Sequence, residues 1–461
     1  MHPTPQEPSS IAFHEPQWLE LTDALLGRLR GRMSLIQPTE ERTHLVASML
    51  EELLATSDGH FPPVPPGPTR HQFIHAFLSY DLIEHLLNDP MIEDIIINAT
   101  NPIFIHRTGE GLVTTPLRFP SSRAVDIFVK KLVIFAGRSE VDPINDVELM
   151  NVQGRANIIQ SPFGPQITIA RGRAKPFTIL QLIDSGMLTY ELAGQLWLYV
   201  EGLRVRPANV IISGGPGTGK TTLLNALLSF VPWQDRVVII EDTLELNTTF
   251  LDHCSRLESC RRVRTPELVK NSLRMRPDRI IVGEVRGSEA HDLMTVMNIG
   301  KYGMGTVHAS TAKETILRLQ NEPMNVPPVL VNLVDVFVIL RKLNKDGNVQ
   351  RVVSELVETA GMEHQLVLLS TVWNYDPETR QVVERAPSSS YRDRLATESG
   401  RTPLQIMNES TMRARLLKAM AESQRFQTIA EVTALCQRYS EQPEEALRQL
   451  GTTMEKLATR R

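Results

Sequence analysis

Residues 214–221 read Gly-Gly-Pro-Gly-Thr-Gly-Lys-Thr and fit the pattern G-x-x-x-x-G-K-[ST]. Glycines let a backbone wrap closely around phosphate oxygens, and the N–H groups of such a loop offer those oxygens positive potential. Lys220 would reach the β- and γ-phosphates of a nucleotide, and the Thr221 hydroxyl would bind Mg²⁺. The candidate nucleotide-binding residues are Gly214, Gly215, Pro216, Gly217, Thr218, Gly219, Lys220, Thr221 and Thr222.

The residues on either side of this segment favour a phosphate-binding loop, because the motif needs a strand before it and a helix after it. Residues 209–213 have the apolar pattern of a buried strand, and residues 222–228 have the pattern of a helix. The N-terminus of that helix would point at the phosphates. A chance glycine-rich turn would not need these neighbours.

Two further apolar strands end in acidic residues. Residues 237–240 are followed by three acids, of which Glu245 is the last. Residues 280–282 are followed by Gly283 and Glu284, whereas a Walker B strand usually carries an aspartate at the position of Gly283. Ligands of parallel sheets bind outside the carboxyl ends of the strands, where an acid can orient an attacking water or hold a metal's water ligand. A solvated acidic loop is the alternative for each segment.

One histidine and a group of arginines complete the set of candidate residues. His308 follows a short apolar strand at 303–307 and could sense the γ-phosphate, although a single histidine is more often structural. Arg155, Arg171 and Arg173 precede the loop in the chain, and a guanidinium fork matches the geometry of a phosphate. Exposed arginines without such a role are the common alternative.

The pattern along the chain predicts an α/β fold with four parts. Residues 188–383 alternate apolar strands with helices, which indicates a largely parallel sheet and a P-loop domain of the RecA-like type. Residues 71–187 predict a smaller mixed α/β domain, and residues 1–70 a helical extension that ends in a proline-rich linker. Residues 384–461 predict a helical C-terminal extension.

Composition excludes several classes of protein. The 461 residues are 41% hydrophobic and 22% charged, with a formal net charge of −4, which is typical of a soluble globular chain. The negative charge and the 5% of aromatic residues disfavour nucleic acid as a partner. No apolar run reaches the ~20 residues of a membrane span, and no signal peptide is visible at the N-terminus. We therefore expect a cytoplasmic protein that reaches a membrane only through partners.

Together these motifs resemble the type II/type IV secretion ATPases, close to the CpaF-like branch that drives Tad pili. The resemblance covers about residues 75–375. The segments that carry it are Leu87–Asn98 in the N-terminal domain, Ile240–Leu246 as the Asp box, Leu273–Gly287 as the Walker B box and Gly305–Ala309 as the His box.

The resemblance implies an ATP-hydrolysing assembly motor with ATP and Mg²⁺ in its site. In this family Glu245 would polarise the attacking water, Glu284 would hold the metal's water ligand and His308 would contact the γ-phosphate. Arg155 and Arg171 fall where the N-terminal domain supplies phosphate-contacting arginines. Similar proteins are hexameric rings that act peripherally at the inner membrane on a platform protein of a pilus or secretion machine, and domain closure on ATP moves the ring.

The chain departs from the family pattern in three places. Lys301 stands where members usually carry a histidine ahead of the His box. Residues 252–265 are expected to form a short loop, and its basic residues are Arg256, Arg261, Arg262 and Arg264. Residues 412–445 resemble a helical tail of archaeal-type relatives, which we interpret as an oligomerisation or partner module.

Three other functions remain open at this point. A nucleic-acid translocase on a RecA-like core would need a basic, aromatic groove and would show DNA-stimulated turnover. A GTPase switch would need an Asn-Lys-x-Asp reader, of which Asn344-Lys345-Asp346-Gly347 is a near miss. A non-catalytic, nucleotide-gated scaffold or regulator would bind ATP without hydrolysing it.

Overall fold

The computed structural model describes residues 15–57, 59–107, 110–152, 154–171, 176–260, 262–345, 348–388 and 390–453. Arg173, Arg261 and the pair Asp346-Gly347, considered above as candidates, lie outside the described residues. The chain divides into two compact units, Met1–Ala174 and Lys175–Arg461.

The first unit is an antiparallel sheet covered by helices. Its helices are α1 Pro16–Leu29, α2 Thr39–Ala55, α3 Pro68–Leu78, α4 Glu84–Asn88 and α5 Ser122–Phe135. Its strands are β1 Ile92–Asn98, β2 Phe104–Arg107, β3 Gly111–Thr114, β4 Ile144–Glu148, β5 Gly154–Ile159 and β6 Gln166–Arg171. Across the described residues the sheet order is β3-β2-β1-β6-β5-β4. β5 and β6 form a hairpin in which Ile159 lies opposite Gln166.

Helices from the predicted N-terminal extension share the core of this sheet. Leu21 and Leu25 of α1 are fully buried with Phe128 and Phe135 of α5 in one hydrophobic cluster. Burial of large apolar side chains is the main favourable term in folding, so these helices stabilise the α/β domain. The predicted division of the chain into four parts stays a prediction.

The second unit contains the remaining elements. Its helices are α6 Ile179–Asp184, α7 Tyr190–Glu201, α8 Lys220–Leu227, α9 Thr265–Ser272, α10 Glu289–Asn298, α11 Ala312–Gln320, α12 Pro328–Val331, α13 Ser390–Ser399, α14 Pro403–Ser423, α15 Ile429–Glu441 and α16 Pro443–Gln449. Its strands are β7 Val210–Gly214, β8 Val237–Glu241, β9 Cys254–Glu258, β10 Arg279–Val285, β11 Tyr302–Val307, β12 Val336–Lys345, β13 Asn348–Glu363, β14 Leu366–Asp376 and β15 Gln381–Glu384.

The sheet of the second unit places the candidate residues along one edge. Within the described residues its order is β15-β14-β13-β12-β7-β11-β10-β8-β9. The strands from β12 to β9 in this order are parallel, so their carboxyl ends share one edge. Every residue of β7 and β8 is buried, as expected for parallel strands with both faces covered. The predicted RecA-like parallel sheet is confirmed.

Two features of this sheet differ from the sequence expectation. Residues 252–265, predicted to be a loop, contain the edge strand β9, which pairs with β8. Beyond β12 the sheet continues with antiparallel strands β13, β14 and β15. The β8–β9 pairing joins strands separated by residues 242–253, whereas β12 to β15 are connected by short hairpins between strands that are neighbours in the sequence.

The helical C-terminal segment packs into the same unit. Arg413 of α14 is buried, donates to Glu201 of α7 at 2.7 Å and stacks over the ring of Trp197 at 4.8 Å. Leu417 and Leu435 belong to the same hydrophobic cluster as Trp197. The segment is therefore anchored to α7 in the core of the second unit.

Candidate active site

The phosphate-binding loop joins β7 to α8 at the carboxyl edge of the sheet. Gly217 and Gly219 have φ values of 63° and 96°, a region that side-chain-bearing residues rarely adopt. The helix begins at Lys220, directly after Gly219. Thr218 closes the loop by donating its hydroxyl to the Gly215 carbonyl at 2.9 Å. The segment thus has the strand–loop–helix form that the motif requires.

Lys220 is buried and turned toward its own loop. Its Nζ donates to the carbonyl oxygens of Gly214 and Gly215 at 3.0 and 3.1 Å. The same Nζ lies 3.3 Å from Nδ1 of His308. Burial lowers the pKa of Lys220 below its usual range, and the nearby Glu284 opposes this shift. The ammonium stands at the mouth of the loop, where a phosphate could replace the carbonyl contacts.

His308 connects this lysine to the Walker B carboxylate. Nε2 of His308 lies 2.6 Å from Oε1 of Glu284, and the other oxygen of Glu284 accepts from Arg286. Because Nδ1 of His308 faces the lysine donor, the hydrogen of the ring belongs on Nε2, toward the carboxylate. Lys220 at the start of α8, His308 after β11, and Glu284 and Arg286 at the end of β10 form a continuous polar chain.

The protonation states of this chain suit phosphate chemistry near neutral pH. Burial raises the pKa of Glu284, but the Arg286 hydrogen bond and the charges of His308 and Lys220 outweigh it and hold that pKa below its usual range. Burial lowers the pKa of His308, with Glu284 opposing. At pH 7 the site therefore holds an ionised carboxylate beside a neutral imidazole.

Glu245 is exposed in the segment that follows β8. Its backbone N–H donates to Oε1 of Glu241 at 2.9 Å. Its carboxylate interacts electrostatically with both Lys220 and Arg286. The structure therefore places Glu245 near the loop lysine and Arg286.

A basic pair lies on the other side of the loop. Lys342 and Arg351 are directly opposite each other across β12 and β13. Nε of Arg351 donates to the Gly217 carbonyl at 2.9 Å. A Cβ placed on Gly217 would lie only 2.7 Å from Nζ of Lys342. Both cations therefore touch the apex of the loop, on the side away from Glu284.

The two arginines predicted from the first unit have contacts within that unit. Arg155 is exposed on β5, opposite Glu148 of β4. One guanidinium nitrogen of Arg171 donates to the carbonyl of Ile92 at 3.0 Å and to that of Asp89. Burial lowers the pKa of Arg171. These contacts tie Arg171 to the turn before β1, and its role toward phosphate stays a prediction, as does that of Arg155.

Sequence reasoning missed four residues of this site. Glu241 was visible as an acid at the end of an apolar strand, and Arg286 stands two positions after Glu284, so both had a local signal. Lys342 and Arg351 had none, because only the register of the β12–β13 hairpin brings them to the loop.

The site fits Mg²⁺ held mainly by nucleotide. Within the described residues no group of three or more His, Cys, Asp or Glu side chains could hold a metal ion by itself. Mg²⁺ in nucleotide sites uses one or two protein ligands beside phosphates and water. Thr221, in the first turn of α8, and the ionised Glu284, acting through water, are the candidates for such a pair.

The loop between β7 and α8, with acids and a histidine at the ends of neighbouring parallel strands, defines a P-loop NTPase of the RecA-like class. The profile of the family described as "Type II/IV secretion system protein" matches residues 78–416. The chain belongs to this type II/type IV secretion ATPase superfamily, as its sequence motifs predicted.

Individual relatives are similar over much of the chain. An uncharacterized protein of Methanocaldococcus jannaschii is 31% identical over 77% of this chain and 68% of its own length. The conjugal transfer protein TrbB of Rhizobium radiobacter is 31% identical over 58% of this chain and 84% of its own length. Among solved structures, the ATPase DotB of Legionella pneumophila is 18% identical over 81% of this chain and 97% of that chain, with a TM-score of 0.46.

In the part of the chain that the structure describes, no helix combines the length and the apolar character needed to cross a bilayer.

Proposed function

We propose that this protein is an ATP-hydrolysing motor that works as a homo-hexamer and drives assembly of a pilus or transport through a secretion machine. The observation that carries the proposal is the polar chain from Lys220 through His308 and Glu284 to Arg286 at the mouth of the phosphate-binding loop. Membership of the secretion ATPase family supports the kind of work that is coupled to hydrolysis.

The reaction converts ATP and water to ADP and phosphate. Negative charge on the transferred phosphoryl group is what the site has to stabilise, and positioned cations and N–H groups do this at little reorganisation cost. Lys220 would exchange its two carbonyl contacts for phosphate oxygens. The exposed carboxylate of Glu245 would accept a hydrogen bond from the attacking water and orient it.

Thr221 and Glu284 would hold Mg²⁺, which supplies charge neutralisation when bound. His308 contacts both Lys220 and Glu284, so phosphate binding at the lysine would change its contacts on both sides. We propose that this histidine reports occupancy of the γ-phosphate position to the Walker B carboxylate. Arg155 and Arg171 would add phosphate contacts from the first unit.

A partner at the inner membrane, the platform protein of a pilus or secretion machine, would receive the motion of the ring. The TrbB relative is named for conjugal transfer, which supports a role at such a machine. Membership of the CpaF-like branch and peripheral attachment to the membrane belong to the same proposal.

Phosphate release from ATP by the purified full chain tests the proposal. We expect turnover in the presence of Mg²⁺, no turnover in Lys220→Ala, and retained ATP binding without turnover in Glu245→Gln. Mass measurement with and without ATP would detect the hexamer. If Glu245→Gln hydrolyses ATP as fast as the wild type, Glu245 is not the base. Turnover that appears only when DNA is added would favour a translocase.

A further inference from the structure

Glu241 and Gly283 fit together at the ends of neighbouring strands. β8 and β10 are parallel, with Ile240 opposite Val282, so the two residues that follow lie side by side. A Cβ on Gly283 would lie 2.9 Å from Cγ of Glu241 and 3.4 Å from its Oε1. A side chain at Gly283 and the carboxylate of Glu241 therefore compete for one space. This explains why Gly283 stands where Walker B strands usually carry an aspartate.

The buried carboxylate of Glu241 holds the backbone of the next segment. Glu241 is 3% exposed, and its Oε1 accepts the N–H groups of Glu245 and Leu246 at 2.9 and 3.0 Å. Leu246 is fixed further by burial in the main core of the unit. Two bonds to one charged oxygen, beside a buried leucine, determine where the backbone of Glu245 lies.

We propose that Glu241 is the positioning residue for Glu245: it occupies the space left by Gly283 and orients the segment that presents the base. This inference rests on the proposed function, because Glu245 acts as a base only if the chain hydrolyses ATP. Glu241 acts through the backbone of this segment, because its own side chain is buried.

Few charges compensate the ionised form of Glu241. Nη2 of Arg256 on β9 lies 3.5 Å from Oε2 of Glu241. This oxygen is buried and has no hydrogen bond within the described residues. Cys254 on the same strand and Glu245 also face it electrostatically. Burial raises the pKa of Glu241 to about 7, against the lowering effects of the two N–H bonds and Arg256. Protonation would weaken both N–H bonds, because a neutral acceptor is weaker than a charged one.

Four variants of the full chain separate positioning from other roles. In Glu241→Ala we expect kcat to fall by about tenfold or more while KM for ATP changes less than about threefold. Gly283→Ala should do the same, because its methyl group displaces the carboxylate. Glu241→Gln keeps an acceptor oxygen, so it should retain more activity. In Glu241→Ala/Gly283→Ala the methyl group has room, so the second change should add little to the first.

The pH profile supplies a readout that a purely structural role would not move. Wild-type kcat should fall as pH drops below about 7. In Glu241→Gln this fall of kcat at low pH should be absent. Asp335→Asn is the matched control, since Asp335 is buried, accepts the Asn209 N–H at 2.9 Å and has a pKa raised by burial, yet stands before β12 at the opposite edge of the sheet. Its pH profile should match the wild type.

Hydrogen exchange tests the positioning without relying on turnover. The amides of Glu245 and Leu246 should exchange faster in Glu241→Ala than in wild type and should be unchanged in Asp335→Asn. If the wild type shows no turnover but the exchange of these two amides is still faster in Glu241→Ala, only the proposed function is overturned. Unchanged exchange and unchanged kcat in Glu241→Ala would overturn the positioning role.

Discussion

Glu284 and His308 end neighbouring parallel strands, and their side chains approach to 2.6 Å from Oε1 to Nε2. This contact joins the Walker B strand to the loop lysine, because Nδ1 of the same ring faces Lys220 at 3.3 Å. The imidazole is therefore placed to respond to both partners at once. Its effect should appear in turnover more than in nucleotide affinity.

Substitution of His308 tests this link. We expect His308→Ala to lower kcat about tenfold or more, because Glu284 and Lys220 lose the group that connects them. Affinity for ADP, measured by titration calorimetry, should change little. His291→Ala, at an exposed position of α10, is the control and should behave as wild type. Equal losses of kcat and ADP affinity in His308→Ala would contradict the link.

The basic pair beside the loop should act on affinity instead. Lys342→Ala and Arg351→Ala remove cations that touch the loop apex, so each should raise the Kd for ATP by about five- to tenfold, with a smaller effect at high salt. Arg341→Ala is the control, because neighbouring residues of a strand point to opposite faces. Fluorescence titration with a labelled nucleotide at two salt concentrations measures this. A loss of kcat at unchanged Kd would show that the pair serves turnover.

Stability should depend on the buried ion pair behind the sheet. Arg413→Met leaves the carboxylate of Glu201 buried without its cation, which costs about 3–5 kcal/mol in the free energy of unfolding. Arg448→Ala removes a pair with Glu445 that is 3.1 Å apart and exposed, so its cost should be below about 1 kcal/mol. Urea denaturation compares them. Recovery of stability in Arg413→Met/Glu201→Gln would confirm the cause, and equal costs for both arginines would contradict it.

The raised pKa of Glu241 should make its contribution to the free energy of unfolding decrease as pH rises. A folded-state pKa of about 7 against a usual 4.5 means that the folded protein binds the proton more tightly, so the stability that Glu241 contributes is fully present below pH 4.5 and is lost as pH rises through 7. Glu241→Gln stays neutral and should gain up to about 3 kcal/mol over wild type at pH 8, with no gain near pH 4. Denaturation at both pH values measures this, and an equal gain at both would contradict it.

The sequence predicted those parts of the site that local pattern determines. The loop at 214–221 and the strand ends at Glu284 and His308 follow from periodicity, since parallel strands bring their carboxyl ends to one edge. Lys342 and Arg351 could not be predicted, because their place depends on hairpin register. Gly283 appeared as a departure from a motif, and only the side chain of Glu241 on the next strand explains it.

The position of β7 between β11 and β12 separates two tasks. The residues proposed for turnover stand on one side of the loop, and the cations that touch its apex stand on the other. If the chain is the proposed motor, changes at Lys342 or Arg351 would adapt it to a cell's ATP level without altering the work done for each ATP hydrolysed. Such variants would slow down when ATP is scarce but would keep their force.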